Sequence, residues 1–161
     1  MPNDLTTEFQ LKRLDGKIHE LEQRLANVSA ETAEAADAFG DLIDNAEFEY
    51  SAKQEHLVVH QLRDLRSQRE RLTVMSTNDI DLNSATIGTS VEVLDIATRK
   101  PHKYNLVGLG PVDLDQNEIS YKSPIGQALY GLRRGHFCKV NTPKETLELL
   151  VLEISIYTPS S

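Results

Sequence analysis

The sequence has no tryptophan and a single cysteine, Cys138, in 161 residues. One thiol excludes an internal disulfide and any cysteine-built metal site, and its place in a strand-like stretch makes it a small core residue. Aromatic residues are scarce, at 6%, which argues against an aromatic-lined proline pocket. No proline occurs between Pro2 and Pro101, so helices in the first half run unbroken. No apolar run approaches the roughly 18 residues of a membrane span. Met1-Pro2-Asn3-Asp4-Leu5 has no basic region ahead of an apolar one, so no signal peptide is expected. The expectation is a cytoplasmic protein. Lys and Arg are missing altogether from Glu31 to Ala52, where seven acids stand: Glu31, Glu34, Asp37, Asp41, Asp44, Glu47 and Glu49. With a net charge of −8, this speaks against tight independent binding to DNA or RNA, which cationic contacts to phosphate drive. A partner for the acidic stretch should be cationic or should hold metal ions.

Catalytic signatures are missing too. There is no Gly-rich phosphate loop before a helix and no Ser/His/Asp nucleophile pattern. Of the five histidines only His56 and His60 show a ligand spacing, at i and i+4, and no third ligand accompanies them.

What the first half does have is a heptad seam. Leu11, Leu14, Ile18, Leu21, Leu25 and Val28 recur at alternating steps of three and four, and the register continues through Thr32, Ala35 and Phe39. Gly16 interrupts this helix. A second seam starts near Asn45 and runs through Val58, Leu62, Leu65, Arg69 and Leu72, with Leu57 and Val59 widening it, to a close near Met75. Two seams joined by a short turn predict an antiparallel helical hairpin; a dimerising coiled coil is the alternative. Arg63, Arg66, Arg69 and Arg71 are placed for ion pairs with acids of the first helix.

After Met75 the helical period ends, and Ser76 to Ser84 read as a linker. Strands are predicted at Thr89–Ile96, Lys103–Gly108, Glu118–Tyr121, Phe137–Asn141 and Thr146–Ile156, separated by turns at Lys100-Pro101, Gly108-Leu109-Gly110-Pro111 and Asn141-Thr142-Pro143. A short helix is predicted within Ser123 to Leu132, with Ser123 as cap and Pro124 in its first position. The fold class is α+β: a coiled-coil hairpin over 1–75 with its tip at 39–47, a linker over 76–84, and an antiparallel β domain with one short helix over 85–161.

The tip, Gly40-Asp41-Leu42-Ile43-Asp44-Asn45-Ala46-Glu47-Phe48, holds two aspartates three residues apart. Turn and cap chemistry alone accounts for Asp, Asn and Gly here. Leu42 and Ile43, however, are apolar in an exposed turn, as in a tip that inserts into a partner. This stretch resembles the Gly-Asp-Leu-Ser-Glu-Asn-Ala-Glu-Tyr tip of the bacterial Gre factors, GreA and GreB. Ile119-Ser120-Tyr121-Lys122-Ser123-Pro124-Ile125-Gly126-Gln127-Ala128-Leu129 resembles their C-terminal I-S-x-x-S-P-I-x-x-A-L segment. The two motifs stand in the family's order and spacing, across nearly the whole chain.

The resemblance implies an FKBP-like C-terminal domain that docks on the rim of the RNA polymerase secondary channel through Ser123 and Pro124. It implies that the hairpin reaches down the channel, and that Asp41 and Asp44 act in the polymerase active site. There they help hold a catalytic Mg²⁺, which the free protein does not bind tightly, while the polymerase cleaves its own backtracked RNA. The protein would then stimulate an enzyme without being one, and would work as a monomer. Departures from the family pattern are Asp44 where Glu is usual, Ile43 where Ser is usual, Lys122 for Asn or Asp, and Asp37 where Arg is common. Lys53 is the nearest cation left to guide the RNA 3′ end. These departures keep open a channel-binding regulator or inhibitor that does not stimulate cleavage. A prolyl isomerase on a stalk and a purely structural coiled coil remain as readings of the residues alone.

Overall fold

The computed structural model describes residues 4–39 and 46–160, with backbone only at 37–39. Its elements in chain order are β1 (Asp4–Thr6), α1 (Glu8–Phe39), α2 (Ala46–Arg71), β2 (Leu72–Val74), β3 (Thr89–Asp95), β4 (Lys100–Val107), β5 (Glu118–Ser120), α3 (Pro124–Leu129), β6 (Phe137–Asn141) and β7 (Thr146–Ile156). Single 3-10 turns lie at Thr77–Asp79 and Leu114–Gln116. The described chain divides into two units, Arg13–Arg71 and a second one made of the N-terminal residues to Lys12 with Leu72 onward.

In the Arg13–Arg71 unit, α1 and α2 run antiparallel. Arg69 pairs with Asp15, Arg66 with Glu22 at 2.8 Å, and the Ser29 hydroxyl donates to Glu55 at 3.1 Å. The residue numbers of each pair add to nearly the same value, as two strands of a hairpin require. The predicted seam is buried at Leu14, Ile18, Val28 and Ala35 of α1 and at Val58 and Leu62 of α2. Leu21, Leu25 and Leu65 are half-buried. Leu57, expected to widen the stripe, is instead 48% exposed. Toward the turn the second seam passes through Glu55 and the buried Ser51, so packing there uses small or polar groups and few methyls.

The second unit holds a five-stranded sheet in the order β5-β4-β3-β7-β6. The antiparallel sheet expected from sequence is mixed, because β5 lies parallel to β4, reached by the ten-residue connection after Val107. Val91, Val93, Leu106, Leu149, Val151 and Ile154 build its core, which Leu129 of α3 closes. Leu149 and Val151 alternate, but the next buried residue is Ile154, three positions on. The register explains this step: Val93 pairs with Val151 and Glu92 with Glu153, leaving Leu152 as an extra residue. A bulge of this kind restores the inward face after a break in period two. Pro101, read as a turn residue, lies inside β4 opposite Leu94. It is tolerated because β5 pairs β4 only from Asn105 to Val107, so no neighbour needs its missing N–H. The turn sits earlier, where Arg99 has φ +59 and its N–H donates to the Asp95 carbonyl at 2.7 Å.

The boundaries drawn at Met75 and Ser84 shift accordingly. β1 pairs in parallel with β2, Asp4 opposite Leu72 and Thr6 opposite Val74, and the Leu109 N–H donates to the Leu5 carbonyl at 2.8 Å. Residues 4–12 therefore belong with the sheet unit. The expected linker also packs, with Ile80 against Gly88, where φ is +92 and an added Cβ would lie 2.7 Å from the Ile80 side chain. Within this unit the first turn of α1 is held by Gln10, which is fully buried. Thr7 and Gln10 cap the start of α1 reciprocally: the Gln10 N–H donates to Thr7 Oγ1 at 3.2 Å and the Thr7 N–H to Gln10 Oε1 at 3.3 Å. The same amide accepts from the Gly108 N–H at 2.7 Å and donates to the Gly108 carbonyl at 2.9 Å.

Candidate functional site: the hairpin tip and the α3 docking segment

Asp41 and Asp44, the proposed tip carboxylates and metal ligands, lie outside the described residues, as do Leu42 and Ile43. The helix ends on either side of them in the sequence are described. A cleft of about 460 Å³ opens between α1 and α2 on the tip side, lined by Glu31, Glu34, Ala35, Glu47, Tyr50 and Ser51. Glu47 and Glu49 stand in the first turn of α2, where negative charge complements the helix dipole. Tyr50 is 66% exposed and Phe48 38%, large apolar rings held at the surface of an acidic stretch. Lys53 is exposed on α2 and is the first cation after the turn. Among the described residues no group of three or more His, Cys, Asp or Glu side chains is placed to hold a metal ion. His60 pairs with Asp64 at 3.6 Å, one turn along an exposed helix face.

Farther from the tip, two of the four arginines do what their spacing predicted. Arg66 and Arg69 bridge to Glu22 and Asp15, and the hydrogen bond from Arg69 holds the Asp15 carboxyl below its ordinary range.

The α3 segment is the second predicted site, and here the geometry is complete. Ser123 caps α3: its hydroxyl accepts from the Gly126 N–H at 3.1 Å and donates to the Ser120 carbonyl at 2.6 Å. Its oxygen is thus engaged inside the chain, which makes Ser123 the residue that shapes the segment. Pro124, at the first helical position, is exposed. Gly126 is buried, and a Cβ there would collide with the Ser120 carbonyl oxygen, so α3 seats on the end of β5 only because this residue has no side chain. Lys122, where the family pattern has Asn or Asp, reaches Asp4 with its ammonium at 3.1 Å, and this bond holds its pKa above the usual lysine range. The same ammonium lies 5.8 Å above the Tyr121 ring, and that ring stands 6.0 Å from Tyr130. The Tyr121–Tyr130 pair was missed in the sequence because the two residues are nine positions apart and meet only through the turn of α3. Cys138 is half-buried against the core, and burial pushes its thiol up, in keeping with a packing role.

Residues 67–156 match the family model described as transcription elongation factor, GreA/GreB, C-term. The transcription elongation factor GreA of Caldanaerobacter subterraneus subsp. tengcongensis is 31% identical over 144 residues, covering 89% of this chain and 92% of its own. The GreA of Syntrophobacter fumaroxidans is 30% identical over 154 residues, covering 96% and 99%. Among solved structures, GreA factor homolog 1 (Gfh1) of Thermus thermophilus aligns over 95% of this chain and 99% of its own, with a TM-score of 0.44 and 21% identity.

Proposed function

The chain belongs to the GreA/GreB family of transcription elongation factors, and we propose on that premise that it enters the secondary channel of bacterial RNA polymerase and stimulates the polymerase's own cleavage of backtracked RNA. The observation that carries this reading is family membership across both units. Identity near 30% extends over about nine-tenths of the chain or more, and Asp41 and Asp44 fall in the sequence between the two helices of an antiparallel hairpin. From Arg13 to Phe39 the first helix spans roughly 40 Å at 1.5 Å per residue, a length suited to carrying a turn deep into a partner.

In this proposal the protein is a monomer and not itself an enzyme. Asp41 and Asp44 are hard oxygen donors of the kind Mg²⁺ takes. Two carboxylates are too few for a dedicated site, which fits residues that complete a centre on the polymerase. There the ion would activate water or neutralise the leaving oxygen of the RNA. The chain's own contribution is to place the two carboxylates and to dock through the segment that Ser123 shapes and Pro124 presents. Lys53 is the residue offered for contact with the RNA 3′ end.

A second reading has an observation of its own. The cleft beside the tip is walled by Glu31, Glu34 and Glu47, and such walls repel a phosphate backbone. A channel-binding regulator that does not promote cleavage would tolerate them. The deciding experiment is RNA release from a reconstituted backtracked elongation complex with Mg²⁺, with and without this protein. Faster release of short 3′ fragments that is lost in Asp41→Ala supports the cleavage factor. Polymerase binding without acceleration supports the regulator, and failure to bind polymerase refutes both.

A further inference from the structure

We propose that the turn between α3 and β6 is a second docking element, with Arg133 and Arg134 received by an acidic protein surface on the polymerase; this rests on the proposed function. The turn is built to present two side chains. Gly131 and Gly135 bracket it with φ +84 and +88, and an added Cβ at either would meet nothing within 4 Å. Those angles, not crowding, favour glycine there. Both ends are tied down. The Gly131 N–H donates to the Ala85 carbonyl at 2.7 Å, the Ala85 N–H to the Leu132 carbonyl at 2.8 Å, and the Gly135 N–H to the Val151 carbonyl at 2.8 Å. A loop held this way loses little further freedom when it binds.

At the apex Arg133 and Arg134 are both exposed. Their side chains line a cleft of about 490 Å³ that has Asp81, Leu82 and Glu153 in its walls. Even so, no ion pair within 4 Å joins either arginine to an acid among the described residues. On a chain of net charge −8, two adjacent unpaired guanidinium groups are a local exception. Large rings flank them along the chain: Tyr130 is 44% exposed and Phe137 64%. Exposed arginine beside exposed aromatic side chains is the composition of protein-binding hot spots. Two charges with flanking rings and an acidic remainder suit a protein better than a nucleic-acid backbone, which takes many cations at once. Placed on a chain of net negative charge, such a turn helps orient the approach of an acidic partner.

The test is the affinity of the full chain for core RNA polymerase across salt concentrations, for wild type, R133Q/R134Q and R133K/R134K. The glutamine pair should bind about tenfold more weakly near 0.05 M salt and within about twofold of wild type near 0.5 M, where screening removes the charge contribution. The lysine pair should stay within about threefold of wild type throughout. All three should melt at the same temperature. Equal affinity of wild type and the glutamine pair at low salt overturns this inference and leaves the proposed function standing. Binding of the free wild-type chain to single-stranded RNA that the glutamine pair loses would assign the turn to nucleic acid and also overturn it. No binding of wild type to polymerase overturns the proposed function together with this inference.

Discussion

Replacing Gln10 with methionine tests how the start of α1 is joined to the sheet. Methionine matches the side chain in length and keeps the helix, but it removes the amide. In the native structure that amide is the hydrogen-bond partner of both the Gly108 N–H at 2.7 Å and the Gly108 carbonyl at 2.9 Å, in a region where Gln10 and Gly108 are buried. A buried backbone group left without a partner costs about 1–3 kcal/mol. Two such groups, partly relieved by an entering water, cost about 2–4 kcal/mol together. For a unit of about 100 residues this lowers the melting temperature by about 10–25 °C. Four of the five tyrosines, Tyr104, Tyr121, Tyr130 and Tyr157, lie in the sheet unit. Tyrosine emission during urea unfolding therefore reports mainly on that unit. An unchanged urea slope with a lower midpoint is the expected result. A loss below about 0.5 kcal/mol would refute the reasoning, because it would mean Gly108 finds other partners without the amide.

Other perturbations separate structure from contact. Ser123→Ala should cost about 1 kcal/mol of sheet-unit stability through the lost cap and weaken polymerase binding; Ser123→Asp, which keeps a capping oxygen, should restore both, and failure to restore affinity would give the hydroxyl a direct contact. Gly126→Ala should cost about 1–3 kcal/mol or more by overpacking against the Ser120 carbonyl, read by thermal unfolding. Leu62→Ala, at a side chain 1% exposed, should cost about 2–5 kcal/mol and lower helicity by circular dichroism. The Asp15 carboxyl titrates below its ordinary value because Arg69 donates to it. Its contribution is present above the unfolded pKa near 3.8 and is lost as pH falls through the lower folded value. The stability difference between wild type and Arg69→Gln should then be flat above about pH 5 and vanish at lower pH; a difference that grows on acidification would contradict the pairing.

The hairpin was legible because its signal is repetitive. Nine seam positions from Leu11 to Phe39 repeat one spacing, and no single residue has to be read correctly. Most strands were legible for the same reason, since β-branched and apolar runs stood between clear turn residues. The misplaced features each depend on one contact distant in sequence. Nothing local marks Asp4–Thr6 as a strand, because its partners are Leu72–Val74 and Leu109. Pro101 read as a turn because the rule against proline in strands holds only where a neighbouring strand needs the N–H, and the short reach of β5 is invisible in sequence. The Gln10 joint did leave a trace. Thr7-Glu8-Phe9-Gln10 fits the Ser/Thr-x-x-Glu/Gln capping pattern, and a seam begun at Leu11 passed over it.

The two site motifs turn out to be of different physical kinds, and the difference shapes what a substitution can reveal. In the α3 segment Ser123 and Gly126 are used up internally, one as a cap and one as a point of contact with Ser120. The fit of Ser123 to the family pattern is therefore explained by folding alone, whatever the segment docks against. The side chains left to face a partner are Pro124, the rings of Tyr121 and Tyr130, and Lys122, itself tethered to Asp4. The acidic side chains near the tip differ. Around the acidic cleft Glu31, Glu34 and Glu47 are exposed; Glu31 and Glu34 stand three positions apart on one helix, where like charges cost stability, while the first turn of α2 favours Glu47. The acidic surface on this side of the hairpin is offset by no cation between Glu31 and Ala52. Glu34→Lys then starts from different wild-type baselines under the two functional readings. If the protein stimulates cleavage, a cation beside the tip should leave release of 3′ RNA fragments unchanged or faster. If it is a regulator whose acidic neck holds RNA away, the same change should create cleavage activity where wild type has none, and a wild type that cleaves well but fails with Glu34→Lys would refute the repulsion argument altogether.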